Sequence, residues 1–170
     1  MRVRLADQTD FAGFRREARA LLARGVPPEQ VHWSAGAQQE ELFDGAEEAR
    51  DDTPVAGANT LRVPAAFLEL CHTVVLHSDP QRFALLYQLL WRLAHEPGLR
   101  HDPLDAGMVQ ARQLAQAVRR DIHKMHAFVR FRQLQDGDDP ADPLHVAWFE
   151  PDHHIVEANA PWFRRRETPR

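Results

Sequence analysis

The sequence lacks most of the features that announce a chemistry. Its one cysteine, Cys71, leaves no disulfide framework, no CxxC redox pair and no cysteine-rich zinc site. That economy fits a reducing compartment, and the cytoplasm is the expected location. The only serines, Ser34 and Ser78, do not stand in G-x-S-x-G, and neither G-x-G-x-x-G nor G-x-x-x-x-G-K-[ST] occurs. Serine-hydrolase, dinucleotide-binding and P-loop readings are therefore set aside. No apolar run approaches the roughly 18 residues of a membrane span, and Met1-Arg2-Val3-Arg4-Leu5-Ala6-Asp7 has no signal-peptide core, so no membrane partner is expected. Lysine is nearly missing too: Lys124 is the only one among 21 basic residues.

What is present fits one soluble globular domain over residues 1–170, with 44% hydrophobic and 27% charged residues, 12 prolines and 8 glycines. A chain of this length buries roughly two-thirds of its unfolded surface, enough for a self-sufficient core. The net charge of −4 hides a polarity. Residues 101–135 carry +3, residues 136–163 carry −7 and the tail 164–170 carries +3.

Hydrophobic period and punctuation set out an α+β fold, with a mainly helical core of three long helices, short N-terminal strands and a C-terminal β-hairpin. Residues 2–6 alternate like a strand, Asp10 caps a helix over Phe11–Arg24, Gly25 ends it, and Gln30–Trp33 reads as a second strand, giving a β-α-β start. The Gly-, Gln- and acid-rich stretch 34–59 reads as a mobile surface loop with no site. Helices follow over Pro64–Leu76 and Pro80–Glu96, the latter preceded by Ser78-Asp79 as its cap. Its apolar face, Phe83, Leu86, Tyr87, Leu90, Trp91 and Ala94, marks it as the central core helix. A third helix over Asp105–Met125 turns Met108, Ala111, Leu114, Val118, Ile122 and Met125 inward. Phe128–Leu134 then alternates as a strand with His145–Phe149 as its antiparallel partner, Gln135–Pro143 forms an acidic turn, and a short helix lies around Ala160–Arg166.

Two constellations could carry function. On the outer side of the third long helix Arg112, Gln116, Arg119, Arg120, His123 and Lys124 gather into a basic stripe, which Arg130 and Arg132 extend along the strand. Charge for counterion release and guanidinium forks for bidentate contacts are what phosphate binding requires. A solvated face pairing with the acidic turn would show the same composition. The second is Glu150-Pro151-Asp152-His153-His154, with His123 and His126 upstream. Histidine and carboxylate could ligate a metal, but adjacent His153 and His154 tend to point apart and no HExxH appears. The expectation is no metal and a polar role, with Asp152 capping the turn and one histidine bonding the backbone or the basic helix. Among the tryptophans, Trp91 and Trp148 are expected in the core, and Trp162 beside Arg164, Arg165 and Arg166 could stack on a base. Cys71, in an apolar helix, is read as buried and inert.

The blocks Arg82-Phe83-Ala84-Leu85-Leu86-Tyr87-Gln88-Leu89-Leu90-Trp91-Arg92-Leu93, Val118-Arg119-Arg120-Asp121-Ile122-His123-Lys124-Met125-His126-Ala127-Phe128-Val129-Arg130-Phe131-Arg132 and Trp148-Phe149-Glu150-Pro151-Asp152-His153-His154-Ile155-Val156 resemble one bacterial family, a domain of unknown function described as "probable DNA metabolism protein". The resemblance runs from about Arg2 to Phe163. Family members occur beside a radical-SAM protein or fused N-terminal to a UdgX-type uracil-DNA glycosylase, and continue past the segment matched by Ala160-Pro161-Trp162-Phe163. The chain is thus expected to be an isolated, truncated or shortened member without the glycosylase's catalytic groups.

The resemblance tips the basic stripe towards phosphate. The expected function is an accessory DNA-repair domain without catalysis of its own. It would bind DNA, damaged or uracil-containing, through Arg119, Arg120, His123, Lys124, Arg130 and Arg132, and position it for a glycosylase-like or radical-SAM partner. An adaptor that docks a protein partner without binding DNA is the alternative. A small metal-dependent hydrolase or nuclease using His123, Lys124, Asp152 and His153 is the third, while Glu150, Asp152, His153 and His154 form the candidate polar cluster. No cofactor is expected.

Overall fold

Alternation in Arg2–Leu5 turns Val3 and Leu5 inward and Arg2 and Arg4 outward, and these residues form strand β1. The structure, a computed structural model, describes residues 1–36, 63–133 and 145–167, the side chains of 166 and 167 excepted. Helix α1 (Phe11–Ala23) starts where the Asp10 carboxylate accepts the Gly13 N–H at 2.7 Å. A Cβ on Gly13 would collide with that carboxylate, so the tight cap depends on glycine. Gly25, at φ +67°, ends the helix in a conformation that favours glycine. A 3-10 turn over Pro28–Gln30 leads into β2 (His32–Ala35), which pairs parallel with β1 in the register Val3↔Trp33 and Leu5↔Ala35. The expected β-α-β start is therefore present, with β2 two residues further along than Gln30–Trp33. The stretch expected as a loop from residue 34 loses Ser34 and Ala35 to the strand; its residues 37–59 lie outside the described residues.

Helices α2 (Ala65–Val74), α3 (Arg82–His95) and α4 (Ala106–Phe128) follow, and α4 packs across both α2 and α3. The cap expected from Ser78-Asp79 is not formed: α3 starts after Gln81 with no side-chain cap, and the Asp79 carboxylate instead accepts the Gln81 N–H at 2.8 Å in the turn before the helix. On α3 the deepest positions are Phe83, Leu85, Leu86, Tyr87, Leu89 and Leu93. The expected face was drawn too far round: Leu90, Trp91 and Ala94 are half-buried at its margin, because a helix apolar on nearly every side does not fix its own rotation. Phe14, Trp33, Phe83 and Tyr87 interlock with ring centroids 5.0–6.4 Å apart, and the Tyr87 hydroxyl donates to the Val26 carbonyl at 2.6 Å. Arg82, 2% exposed, is the cation of this core. Its guanidinium donates to the carbonyls of Val75, Asp79 and Gln8 and to the Gln8 side chain at 2.7–2.9 Å, tying the start of α3 to the end of α2 and to the turn after β1.

Helix α4 begins at Asp105, whose carboxylate accepts the Met108 N–H at 3.0 Å and pairs with Arg92 at 2.9 Å. Arg92 also holds Glu96, and its hydrogen bonds push both carboxyls below their ordinary range. The helix runs through Phe128, three residues beyond its expected end, because Met125 and Val129 are both buried one turn apart. The strand expected over Phe128–Leu134 accordingly shrinks to β3 (Arg132–Gln133). Its partner β4 is His145–Val146, antiparallel, with Arg132↔Val146 and Gln133↔His145. The acidic turn expected over Gln135–Pro143 lies outside the described residues. The last helix, α5 (Val156–Glu167), starts four residues earlier than expected and carries Pro161 inside it.

Candidate functional site

Helical geometry assembles the outer face of α4. With Val118 and Met125 buried on one side, positions 116, 120, 123 and 124 turn to the other. Arg119, Arg120, His123 and Lys124 are all exposed and, with Gln116, line a shallow depression of about 400 Å³. Arg119 lies about 100° round the helix from Arg120, on the flank of this face. Arg112 is drawn away, its guanidinium donating to the Pro103 carbonyl at 2.8 Å. Beyond the helix Arg130 and Arg132 are exposed, and Arg130 donates to the Val129 carbonyl at 2.8 Å. Lys124 meets Asp152 at 3.4 Å, with both side chains more than half exposed. Such a pair is worth well under about 1 kcal/mol, so the ammonium is loosely held.

The 150–155 segment is built differently. Its backbone docks between α4 and the α2–α3 turn: the His153 N–H donates to the buried Asp121 carboxylate at 3.0 Å, and the His154 N–H to the Leu76 carbonyl at 2.9 Å. The His153 ring lies on the His77 ring, centroids 4.1 Å apart. Nδ1 of His77 accepts the Asp79 N–H at 2.9 Å, and Nδ1 of His153 accepts the Ser78 N–H at 3.3 Å and faces the Ser78 hydroxyl at 3.0 Å. In the neutral form each ring then carries its proton on Nε2, where it offers a donor rather than a lone pair. Among the described residues no three His, Cys, Asp or Glu side chains converge as ligands. Burial pushes the His77 pKa down, with His153 beside it adding to the shift and Asp79 opposing it; burial and Arg82 push His154 down.

The structure thus brings Lys124 to Asp152, and His153 to α4 through its backbone. His123 and His126, three residues apart on one helix, have different surroundings. His123 is exposed, while His126 is covered by Trp162, stacked at 3.8 Å, and its Nε2 lies 2.8 Å from Asn159 Oδ1. Glu150 is exposed at the start of the loop. Cys71 is buried, and its thiol is pushed up to about 12 by desolvation.

Two expectations about aromatic residues are overturned. Trp148, expected in the core, is 88% exposed. Its neighbours Ala147 and Phe149 pack against a small second core of Val118, Met125, Val129 and Ile155, while the residue between them stands outward. Phe128, read as the first residue of a strand, closes α4 and is 70% exposed. Sequence reasoning also passed over His77 and Asp121, and gave Ser78 only a capping role. The signal for Asp121 was present: it sits midway between the inward positions Val118 and Met125, where a carboxylate needs a buried partner.

Residues 80–168, just over half of the chain, match the family described as "Domain of unknown function (DUF4130)". The match takes in α3, α4, the hairpin, the 150–155 segment and α5. No curated protein and no solved structure matches the chain.

Proposed function

We propose that this chain, which belongs to the DUF4130 family, holds a nucleic-acid phosphate backbone on the outer face of α4 and the β3–β4 hairpin, and presents it to a partner enzyme. The observation that carries the reading is that Arg119, Arg120 and Arg132 are exposed and have no acidic partner among the described residues. Exposed guanidinium groups offer the planar fork that bidentate phosphate contacts use. His123 and Lys124 complete the face on α4, and the Asp152 contact exchanges for phosphate at little cost. Arg130 and Arg132 continue it onto the hairpin. The resemblance to the "probable DNA metabolism protein" family supplies the finer part: the partner is glycosylase-like or a radical-SAM protein, and the strand is DNA carrying uracil or another lesion. In this reading the chain positions DNA and the partner does the chemistry.

Fluorescence anisotropy with short uracil-containing oligonucleotides across a salt series tests it. The logarithm of affinity should fall linearly with the logarithm of salt concentration. Replacing Arg120, Lys124 and Arg132 together by Gln should flatten that slope by roughly 0.7–0.9 for each phosphate that the variant no longer neutralises. Circular dichroism establishes that the variant is folded. A slope unchanged by the three substitutions, or no DNA binding at any salt, would make the adaptor the better account.

A further inference from the structure

We infer that the nucleic acid held on this face is unpaired, its bases stacking on Trp148 and Phe128. The inference rests on the phosphate reading above and adds to it the class of strand. Among the described residues the large exposed aromatic side chains are Phe128, Phe131 and Trp148, and all three lie between the end of α4 and the segment after β4, beside the basic residues. Phe128 stands one helical turn beyond Lys124 and two residues before Arg130. Counting outward from the pair Arg132↔Val146, the residues two steps along the two chains are Arg130 and Trp148. Cations and rings therefore share one region of the surface.

Both rings are fixed in their outward positions. Ala147 and Phe149 on either side of Trp148, and Met125 and Val129 around Phe128, pack on the second core, so neither ring can turn inward without breaking that core. Phe131 differs: it is 40% exposed and leans edge-on against Phe163 at 5.6 Å, which makes it a supporting wall. A duplex hides the faces of its bases in its own stack and has little use for such rings. An unpaired strand offers a negative backbone and open π-faces together, the pair of features this surface complements. The basic surroundings favour that polyanion over a neutral apolar protein segment or a second copy of the chain.

The test uses the whole chain and two labelled probes, an oligothymidine of about 15 nucleotides and a blunt duplex of equal length, at several salt concentrations. The wild-type chain should prefer the single strand. Trp148→Ala should weaken oligothymidine binding about tenfold and duplex binding less than twofold, leaving the salt slope unchanged, and Trp148→Phe should restore most of the loss. Phe128→Ala should act in the same direction. Equal affinity for both probes, with no effect of Trp148→Ala but a normal salt slope, overturns the unpaired-strand inference and leaves phosphate binding standing. Binding of neither probe overturns both. A wild-type chain that self-associates in sedimentation, and loses the association in Trp148→Ala, overturns the inference by making the ring a contact between copies.

Discussion

The same residue types meet opposite fates at the two ends of α4. At its N-terminal half Phe14, Trp33, Phe83 and Tyr87 close on one another inside a core shared by β1, α1, β2, α2 and α3. At its C-terminal half Val118, Met125, Val129 and Ile155 form a small core that holds the Phe149 and Phe163 rings only at its margin, and Phe128 and Trp148 stand in solvent. The larger buried cluster lies in the first region, and exposed rings and cations in the second. A surface with exposed rings is most easily built where little of the core depends on it.

Substitutions of one kind in each core should measure that difference. Leu86, fully buried in the larger core, should cost about 4–5 kcal/mol on change to Ala, because its neighbours interlock and cannot close the cavity. Ile155→Ala, in the smaller core, should cost nearer about 2 kcal/mol, since Leu76, Phe149 and Phe163 at its margin can move in. Urea unfolding of the two variants gives both numbers, and equal costs would break the comparison. A smaller effect is expected at the seam between the regions, where His77 of the α2–α3 turn meets His153 and His154 beside Asp79 and Arg82. The folded-state pKa values of His77 and His154 lie below their ordinary 6.5. Their neutral forms therefore favour the fold fully above about pH 6.5, and stability falls as pH drops through the lowered folded values. The urea midpoint should decline between pH 7.5 and pH 5, and a His77→Gln, His154→Gln variant should decline less; an identical decline would remove these histidines from the account. The smallest effect is expected at Trp148→Ala, which should change stability by less than about 0.5 kcal/mol.

How much of this was legible in the sequence depended on whether local signals agreed with tertiary ones. Asp10, Gly25 and Asp105 are local, and each begins or ends a helix where the sequence places it. The parallel pairing of β1 with β2 is what the expected β-α-β start implies, since a helix between two strands of one sheet returns the chain in the same direction. Phe128 was misread because its surroundings alternate with a period of two, while the burial of Met125 and Val129 carries the helix on. Trp148 was misread because an apolar run suggests a strand covered on both sides, and the second core covers only one. The start of α5 was missed because Pro161 reads as a first-turn residue, whereas it lies in the sixth position of the helix. On the candidate site, Arg119, Arg120, His123, Lys124, Arg130 and Arg132 could be placed on exposed surface from periodicity alone, whereas the His77–His153 pairing joins residues 76 positions apart in sequence and left no local trace.

The exposure of Trp148 also makes the molecule its own optical reporter. Trp33 is packed against Phe14, Phe83 and Tyr87, and Trp91 and Trp162 each lie against an imidazole. Trp148 alone of the four indoles meets solvent over most of its surface. Its emission therefore falls at the long-wavelength edge of the spectrum and is the part that a dissolved quencher such as acrylamide reaches first. A base laid on that ring would dim the same long-wavelength component and shield what remains of it from the quencher, so occupancy of the surface can be followed without a label.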